Sequence, residues 1–389
     1  MNRRAWVILT ALLLGRVGFG YEFQTVASLG PALIARLHLD YTGFGSLIGA
    51  YMLSGAFIAL PLGLLGRRFG DRWVLGGGLA LMAVGQVICA VPAGASGIAA
   101  GRFVSGMGAV AMMVLQSKVI ADWFPGRRFM LAISFSSAAY PVGVGLSQIV
   151  QPLLARDFGW PAAFGSGAVE AALALVLFLA CYRPAPQAGE PPRAFSLPNR
   201  HEAGLSAIAG LIWAAYTACY AGFLSYTPAL MSARGEGLAL IGLVVGLATW
   251  GNVAATPVGG ALAGRWGPAG VFAIGTVAII LGVAAMGWFD LPVLCGAVVG
   301  LVGSLHPGVI LAVGTLSASR QNRAVGMGIF YTMYYAGGAL APALCGLAAD
   351  AYGGVAGAMF AAAAIGALAY PAWLAHRRLS ARGGLAEVG

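Results

Sequence analysis

The sequence predicts an all-α membrane protein of twelve transmembrane helices in two pseudo-symmetric six-helix bundles. Three observations predict it. The chain is 60% hydrophobic and 9% charged, whereas a globular domain is roughly half apolar and a quarter charged. A water-soluble core cannot hide that much apolar surface, so lipid must be the solvent for much of it. The apolar residues fall into twelve stretches near the ~20 residues that a span requires. Finally, GLLGRRFG (Gly63–Gly70) returns as GALAGRWG (Gly260–Gly267): Gly63, Arg68 and Gly70 are matched by Gly260, Arg265 and Gly267, each 197 residues further on in a chain of 389. A basic, Gly-punctuated turn repeated at half length marks two parallel repeats, as secondary transporters are built.

Span one, Ala5–Leu33, follows a basic start like that of a signal peptide. Its apolar run continues past any signal-peptide length and lacks an A-x-A site, so it reads as a spanning helix. Span two, Thr42–Gly66, and span three, Val74–Ala93, are divided by the basic turn Arg67–Arg72. Spans four to six are read at Ile98–Ala121, Met130–Leu154 and Pro161–Tyr182. The second six are read at Ala203–Met231, Ala239–Ala263, Gly270–Phe289, Leu291–Leu316, Ala324–Ala349 and Val355–Ala375. Between the sixes, a polar stretch with five prolines cannot cross and reads as a linker. The expected division is residues 1–182 as the N-terminal bundle, 183–203 as a cytoplasmic linker and 204–389 as the C-terminal bundle with a short tail.

Charge supports this count. With the N-terminus cytoplasmic, nearly all Lys and Arg fall on the cytoplasmic side, and only Arg36, Arg156 and Arg234 fall outside. A wrong helix count would scramble the bias, so count and orientation support each other, with both termini cytoplasmic. The net charge of +10 is therefore a topology signal and does not point to nucleic acid. Sixty glycines fit close helix packing in lipid. The five cysteines lie in or beside spans without a CxxC pair and read as reduced, apolar packers, with no metal site and no cofactor implied.

These features resemble the major facilitator superfamily over essentially the whole chain. The loop after span two is similar to its GxLaDRxGrk signature, with Gly63, Leu65, Arg68, Gly70 and Arg72 in place. It departs at Arg67, where the family usually has an acid, and at Asp71, where a base is common; the resemblance implies an altered ion pair to a neighbouring helix. Arg102-Phe-Val-Ser-Gly106-Met-Gly108 in span four is similar to the family's RxxxGxG motif, and Pro141-Val-Gly143-Val-Gly145 echoes its antiporter motif in degenerate form. The stretches IWAAYTACYAGFLSYTPALM and RAVGMGIFYTMYY resemble the cyanate and nitroimidazole transporter branch. The resemblance implies that spans one, four, seven and ten line a central cavity, and that Gly63, Arg67, Arg68, Gly70, Asp71 and Arg72 form a conformational motif.

An ionisable group inside a span is costly and is a functional candidate by default. Arg16 and Glu22 in span one, Arg102 in span four and Glu170 in span six qualify. Arg16 shares a face with Phe23 and Gln24, and Glu22 lies roughly 120° away. Arginine's planar fork suits a carboxylate or similar oxyanion; the alternative is a structural pair with Glu22 or Glu170. Glu22 and Glu170 are the candidate proton carriers, since a carboxyl desolvated in a bundle can take up and release a proton. The alternatives are an ion pair with an arginine for Glu22, and a structural pair or a buried neutral acid for Glu170. Arg102 either serves coupling and substrate, as the resemblance implies, or caps carbonyls of a neighbouring helix. The C-terminal half offers neutral groups: Trp213, Tyr216 and Tyr220 on one face of span seven, Asn252 in span eight, His306 beside Pro307 in span ten, and Tyr331 and Tyr334 in span eleven. These line a substrate path or simply pack the bundle, and His306 either binds or satisfies a carbonyl that Pro307 frees.

The leading expectation is a monomeric, proton-coupled secondary transporter of a small organic anion in a bacterial inner membrane, working by rocking of two halves. The alternative is a proton-coupled multidrug efflux antiporter. A membrane enzyme is disfavoured, because the four histidines share no metal-ligand spacing and no H-E-x-x-H occurs. A nucleotide-driven pump is disfavoured by the absence of a G-x-x-x-x-G-K-[ST] loop.

Overall fold

In hydrocarbon every backbone polar group must be satisfied within its own segment, which makes helices of apolar runs. The computed structural model describes residues 3–91, 94–124, 127–184, 198–319 and 322–382. The helices are α1 (Arg3–Ser28), α2 (Gly30–Leu37), α3 (Tyr41–Phe69), α4 (Asp71–Ala90), α5 (Gly94–Trp123), α6 (Arg127–Phe158), α7 (Trp160–Cys181), α8 (Arg200–Ala233), α9 (Leu238–Trp266), α10 (Pro268–Trp288), α11 (Pro292–Ala297), α12 (Pro307–Leu316), α13 (Arg323–Tyr352), α14 (Ala356–Ala367) and α15 (Ala369–Arg382). A π-helical turn, Val298–Val302, follows α11.

The twelve expected spans map onto these helices in order. Three are interrupted: span one at Leu29, span ten between the π turn and α12, and span twelve at Leu368. Ten helical stretches among the described residues are long and apolar enough to cross a membrane. Large apolar side chains on their outer faces stay uncovered, Val176 at 67% and Leu281 at 62% for example, as a lipid-facing surface requires. Residues 185–197 of the expected linker lie outside the described residues, as does everything beyond the helical backbone at Gly63, Arg67 and Arg68.

The chain divides into two compact units, Met1–Leu29 with Ala50–Phe195, and Gly30–Gly49 with Ser196–Gly389. In the first, α1 packs on α6 and α7, and α4 packs on α5 and α7. In the second, α8 packs on α13, and α10 packs on α14 and the π turn. Spans one and five thus pair as seven and eleven do, and three and six as nine and twelve do. The repeat also shows in the backbone: Gly70 has φ 79 and ψ 148, and Gly267 has φ 78 and ψ 150. Both begin the next helix in a conformation that is essentially restricted to glycine.

The first turns of α3 belong to the second unit. The Asp350 carboxylate on α13 accepts hydrogen bonds from the Tyr41 amide at 2.9 Å, the Thr42 amide at 2.8 Å and the Thr42 hydroxyl at 2.5 Å. An anion is thereby set on a helix N-terminus, where its free N–H groups point. The Tyr226 hydroxyl donates to the carbonyls of Pro342 at 2.7 Å and Tyr41 at 3.2 Å.

Candidate functional site

In the first unit, α1 carries its two ionisable groups on different faces. Arg16 lies about 20 Å along the helix from Arg3 at ~1.5 Å per residue, and it is half-buried. Its Nη1 donates to the Met113 sulfur at 2.8 Å. The guanidinium lies 5.1 Å from the Phe19 ring centroid and 5.5 Å from that of Tyr140. It makes no ion pair; the pairs among the described residues are Lys118–Asp71 and Arg156–Asp157. The alternative of a structural pair with Glu22 or Glu170 is therefore not the arrangement seen.

Glu22 is fully buried. Its Oε2 accepts from the Ser105 hydroxyl and, at 3.4 Å, from the Tyr51 hydroxyl, while Gln86 Nε2 donates to Ser105 at 3.2 Å. Glu22 Oε1 has no hydrogen-bond partner. Arg102, also fully buried, does not spend its fork on this carboxylate. Nη1 donates to the Glu22 backbone carbonyl at 2.6 Å and Nη2 to the Phe23 carbonyl at 3.1 Å, with the guanidinium 4.6 Å from the Tyr51 ring centroid. The carbonyl-capping alternative is the one this geometry matches. Phe23 packs edge-on to Tyr51 at 6.0 Å, and Gln24 is buried beside it in sequence.

Glu170 on α7 points at α1. A Cβ on Gly18 would overlap its carboxylate, and neither carboxylate oxygen has a hydrogen-bond partner. Gly18 and Glu22 are one helical turn apart, so the two acids approach the same face of α1.

At the basic turn, Asp71 receives Lys118 Nζ at 2.8 and 2.9 Å, and Arg72 Nη2 donates to the Leu179 carbonyl at 3.1 Å. The turn is tied to α5 through Asp71, the acid that stands where the resembled signature commonly has a base.

In the second unit, Trp213 bridges two aromatic rows. Its ring lies 5.9 Å from Tyr216 on α8, and 6.0 and 6.4 Å from Phe330 and Tyr334 on α13; Tyr331 lies 6.4 Å from Tyr334. The Tyr220 hydroxyl donates to the Ala248 carbonyl at 3.2 Å. Asn252 Nδ2 donates to the Tyr216 hydroxyl at 2.9 Å and to the Ser304 hydroxyl at 3.0 Å, and the Ser304 hydroxyl donates to the Val299 carbonyl at 3.1 Å. Side chains of spans seven and eight thus meet the interruption of span ten. His306 caps α12 with its ring buried, 4.8 Å from Tyr216 and 5.5 Å from Phe272. Neither ring nitrogen makes a well-formed hydrogen bond, although the Gly303 carbonyl acts on the ring.

Tyr51, Gln86 and Ser105 around Glu22, Met113 and Tyr140 around Arg16, and Ser304 in span ten were not singled out in the sequence. Only Ser105 carried a signal, as part of the Arg102–Gly108 motif.

The Major Facilitator Superfamily model matches residues 12–342 and 235–388. The chain belongs to the Major Facilitator Superfamily. It is accordingly a multi-pass integral membrane protein of a superfamily of transporters. It is 27% identical over 176 residues to the inner membrane transport protein YajR of Escherichia coli, covering 45% of this chain and 38% of that one. The match spans well under two thirds of that relative's length. Solved superfamily structures superpose over nearly the whole chain. A bacterial homolog of the human lysosomal transporter Spinster, in an inward-facing and unoccupied conformation, gives a TM-score of 0.77 at 16% identity, covering 97% of this chain and 98% of that one. A D-xylose–proton symporter gives 0.75 at 18% identity, covering 95% and 97%. At these identities the likeness speaks for the fold.

Proposed function

We propose that this transporter carries a small organic anion across a bacterial inner membrane, coupled to protons, by rocker-switch alternating access. One observation carries the reading: Arg16, at mid-depth in α1, faces a thioether and two aromatic rings and no carboxylate. A permanent cation in a membrane span needs a counter-charge, and an anionic substrate supplies it bidentately. Glu22 and Glu170, whose carboxylates accept no hydrogen bond from an arginine, are the proton carriers. The charge bias of the loops supports cytoplasmic termini, and a proton symporter shares the fold.

The test is flux in proteoliposomes with a panel of small mono- and dicarboxylates, with and without a pH gradient. Saturable uptake of an anion that the gradient accelerates is expected. Transport confined to neutral or cationic compounds overturns the anion assignment, and gradient-independent accumulation overturns the coupling. The aromatic rows around Trp213 favour a second reading, proton-coupled efflux of lipophilic drugs, which the same panel extended to such compounds separates.

A further inference from the structure

Arginine stays charged inside a span and needs oxygen acceptors or an anion around it. The spans read from the sequence hold three cations, Arg16, Arg102 and Lys118, and the six spans of the second half hold no lysine or arginine. Two of the three are occupied: Arg102 by the carbonyls of Glu22 and Phe23, and Lys118 by the Asp71 carboxylate. Arg16 stands apart. Its Nη1 meets the Met113 sulfur at 2.8 Å, a weak acceptor, and its Nε is buried without a partner.

The groups beside this cation are flat and polarisable. Arg16 on α1, Met113 on α5 and Tyr140 on α6 are each half-buried, so three helices of the first unit build a partly open surface around the guanidinium. The buried Phe19 ring backs it at 5.1 Å, Tyr140 lies at 5.5 Å, and the two ring centroids are 5.0 Å apart. This surface is fixed from behind. A Cβ on Gly20 would overlap the Tyr140 carbonyl and one on Gly143 the Val17 carbonyl, so α1 and α6 touch along their backbones beside Tyr140. One turn from Met113, the buried Gln116 amide donates to the Leu12 carbonyl at 3.3 Å and to the Ser136 hydroxyl at 2.9 Å, joining α5 to α1 and α6. A surface held in this way is preorganised and selects by shape.

We infer that the Arg16 site takes an aromatic monocarboxylate, with the carboxylate on the guanidinium fork and the flat ring against Tyr140 and the Met113 thioether. The inference rests on the anion reading above and narrows it. Pairing of fork and carboxylate sets both groups in one plane, and a ring conjugated to the carboxylate continues that plane. An aromatic ring and a thioether beside the fork suit such a ring through offset or edge contacts and through sulfur–ring contact. A saturated ring of similar size is thicker and has no π face. A second carboxylate would find no second cation, and burying an unpaired charge is costly. One negative charge is therefore the most that this site balances.

The experiment measures binding of radiolabelled benzoate, and separately of radiolabelled propionate, to the purified full chain in lipid nanodiscs at pH 7. The unlabelled competitors are cyclohexanecarboxylate, terephthalate and benzamide. A ring or sulfur–ring contact contributes about 2- to 10-fold in affinity. With two such contacts, cyclohexanecarboxylate should bind at least threefold more weakly than benzoate, although it is the more apolar acid. Terephthalate should be at least about 30-fold weaker, and neutral benzamide, of the same shape as benzoate, should not compete. Tyr140→Leu should bring benzoate close to cyclohexanecarboxylate and leave the latter within twofold; a Tyr140 that only packs the bundle would weaken both alike. Cyclohexanecarboxylate or propionate binding as well as benzoate overturns the aromatic assignment, and terephthalate doing so overturns the single charge; both results leave the anion reading standing. Benzamide competing as well as benzoate, or folded protein that binds none of the acids, overturns the anion reading itself and the inference with it.

Discussion

Replacing Arg16 separates an anchor from a packing cation. The guanidinium meets the Met113 sulfur and the Phe19 and Tyr140 rings. If those contacts are its whole purpose, lysine keeps the charge and much of the ring attraction. A cation–π contact contributes about 0.5–2 kcal/mol, so Arg16→Lys then changes apparent affinity about 30-fold at most, and less where the ammonium still reaches the rings. If Arg16 holds a planar anion through two parallel hydrogen bonds, lysine keeps the charge and loses the fork. Disrupting a charged hydrogen-bonded pair in a desolvated site costs about 2–5 kcal/mol, or roughly 30-fold to several thousand-fold in affinity. Arg16→Gln, which also removes the charge, lies at the upper end. The assay is the concentration dependence of counterflow in proteoliposomes, normalised to folded protein, because counterflow needs binding and exchange but no proton gradient. Arg16→Lys within fivefold of wild type refutes the anchor. Recovery of transport in the Arg16→Gln/Glu22→Gln double variant refutes it differently, by showing two charges that matter only to each other.

Three further outcomes are expected. Gly18→Ala places a methyl on the Glu170 carboxylate, and overpacking of this kind costs about 1–3 kcal/mol; accumulation driven by a pH gradient should fall at least tenfold while counterflow survives, and unchanged accumulation would remove Glu170 from coupling. Gly70→Leu has open space for its side chain and a φ of 79° that strains it, costing about 1–3 kcal/mol, so a well-expressed variant should transport severely slowly, as initial-rate flux would reveal. Asp350→Asn should weaken the tie to the start of α3, by no more than about 1 kcal/mol because the carboxylate is solvent-exposed. Burial pulls the Asp350 carboxyl up from its ordinary 3.8, but the Thr42 hydroxyl and the Tyr41 and Thr42 amides outweigh burial and hold it lower. A depressed carboxyl contributes its stability above the unfolded value and loses it as pH falls through the folded one. The melting difference between wild type and Asp350→Asn should therefore be constant from pH 8 to about 5 and close only below 3.8.

The spans were legible because lipid permits one solution for an apolar run, and the two halves because Gly70 and Gly267 hold the same restricted backbone. The interruption of span ten was half legible: His306-Pro307 announced a break, but Val298–Val302 reads as ordinary helix, and its π turn is met by Ser304 and, through it, by Asn252, over forty residues away in sequence. That the first turns of α3 join the second unit had no local sign, because the partner, Asp350, lies some three hundred residues along. At the site the same asymmetry holds. A formal charge in a span stands out, since its cost demands a reason, so Arg16, Glu22, Arg102 and Glu170 were all found. What each charge meets was not written beside it: Arg102 takes two carbonyls of α1, which the sequence offered only as the alternative to a coupling and substrate role. Serine, threonine and glutamine are cheap enough to occur anywhere in a bundle. Ser28, Thr25, Ser147 and Gln151 therefore became one buried network only when folding brought α1 and α6 together. A one-dimensional reading finds the costly groups, because their cost demands a reason; it misses the groups packed around them, because each is unremarked alone.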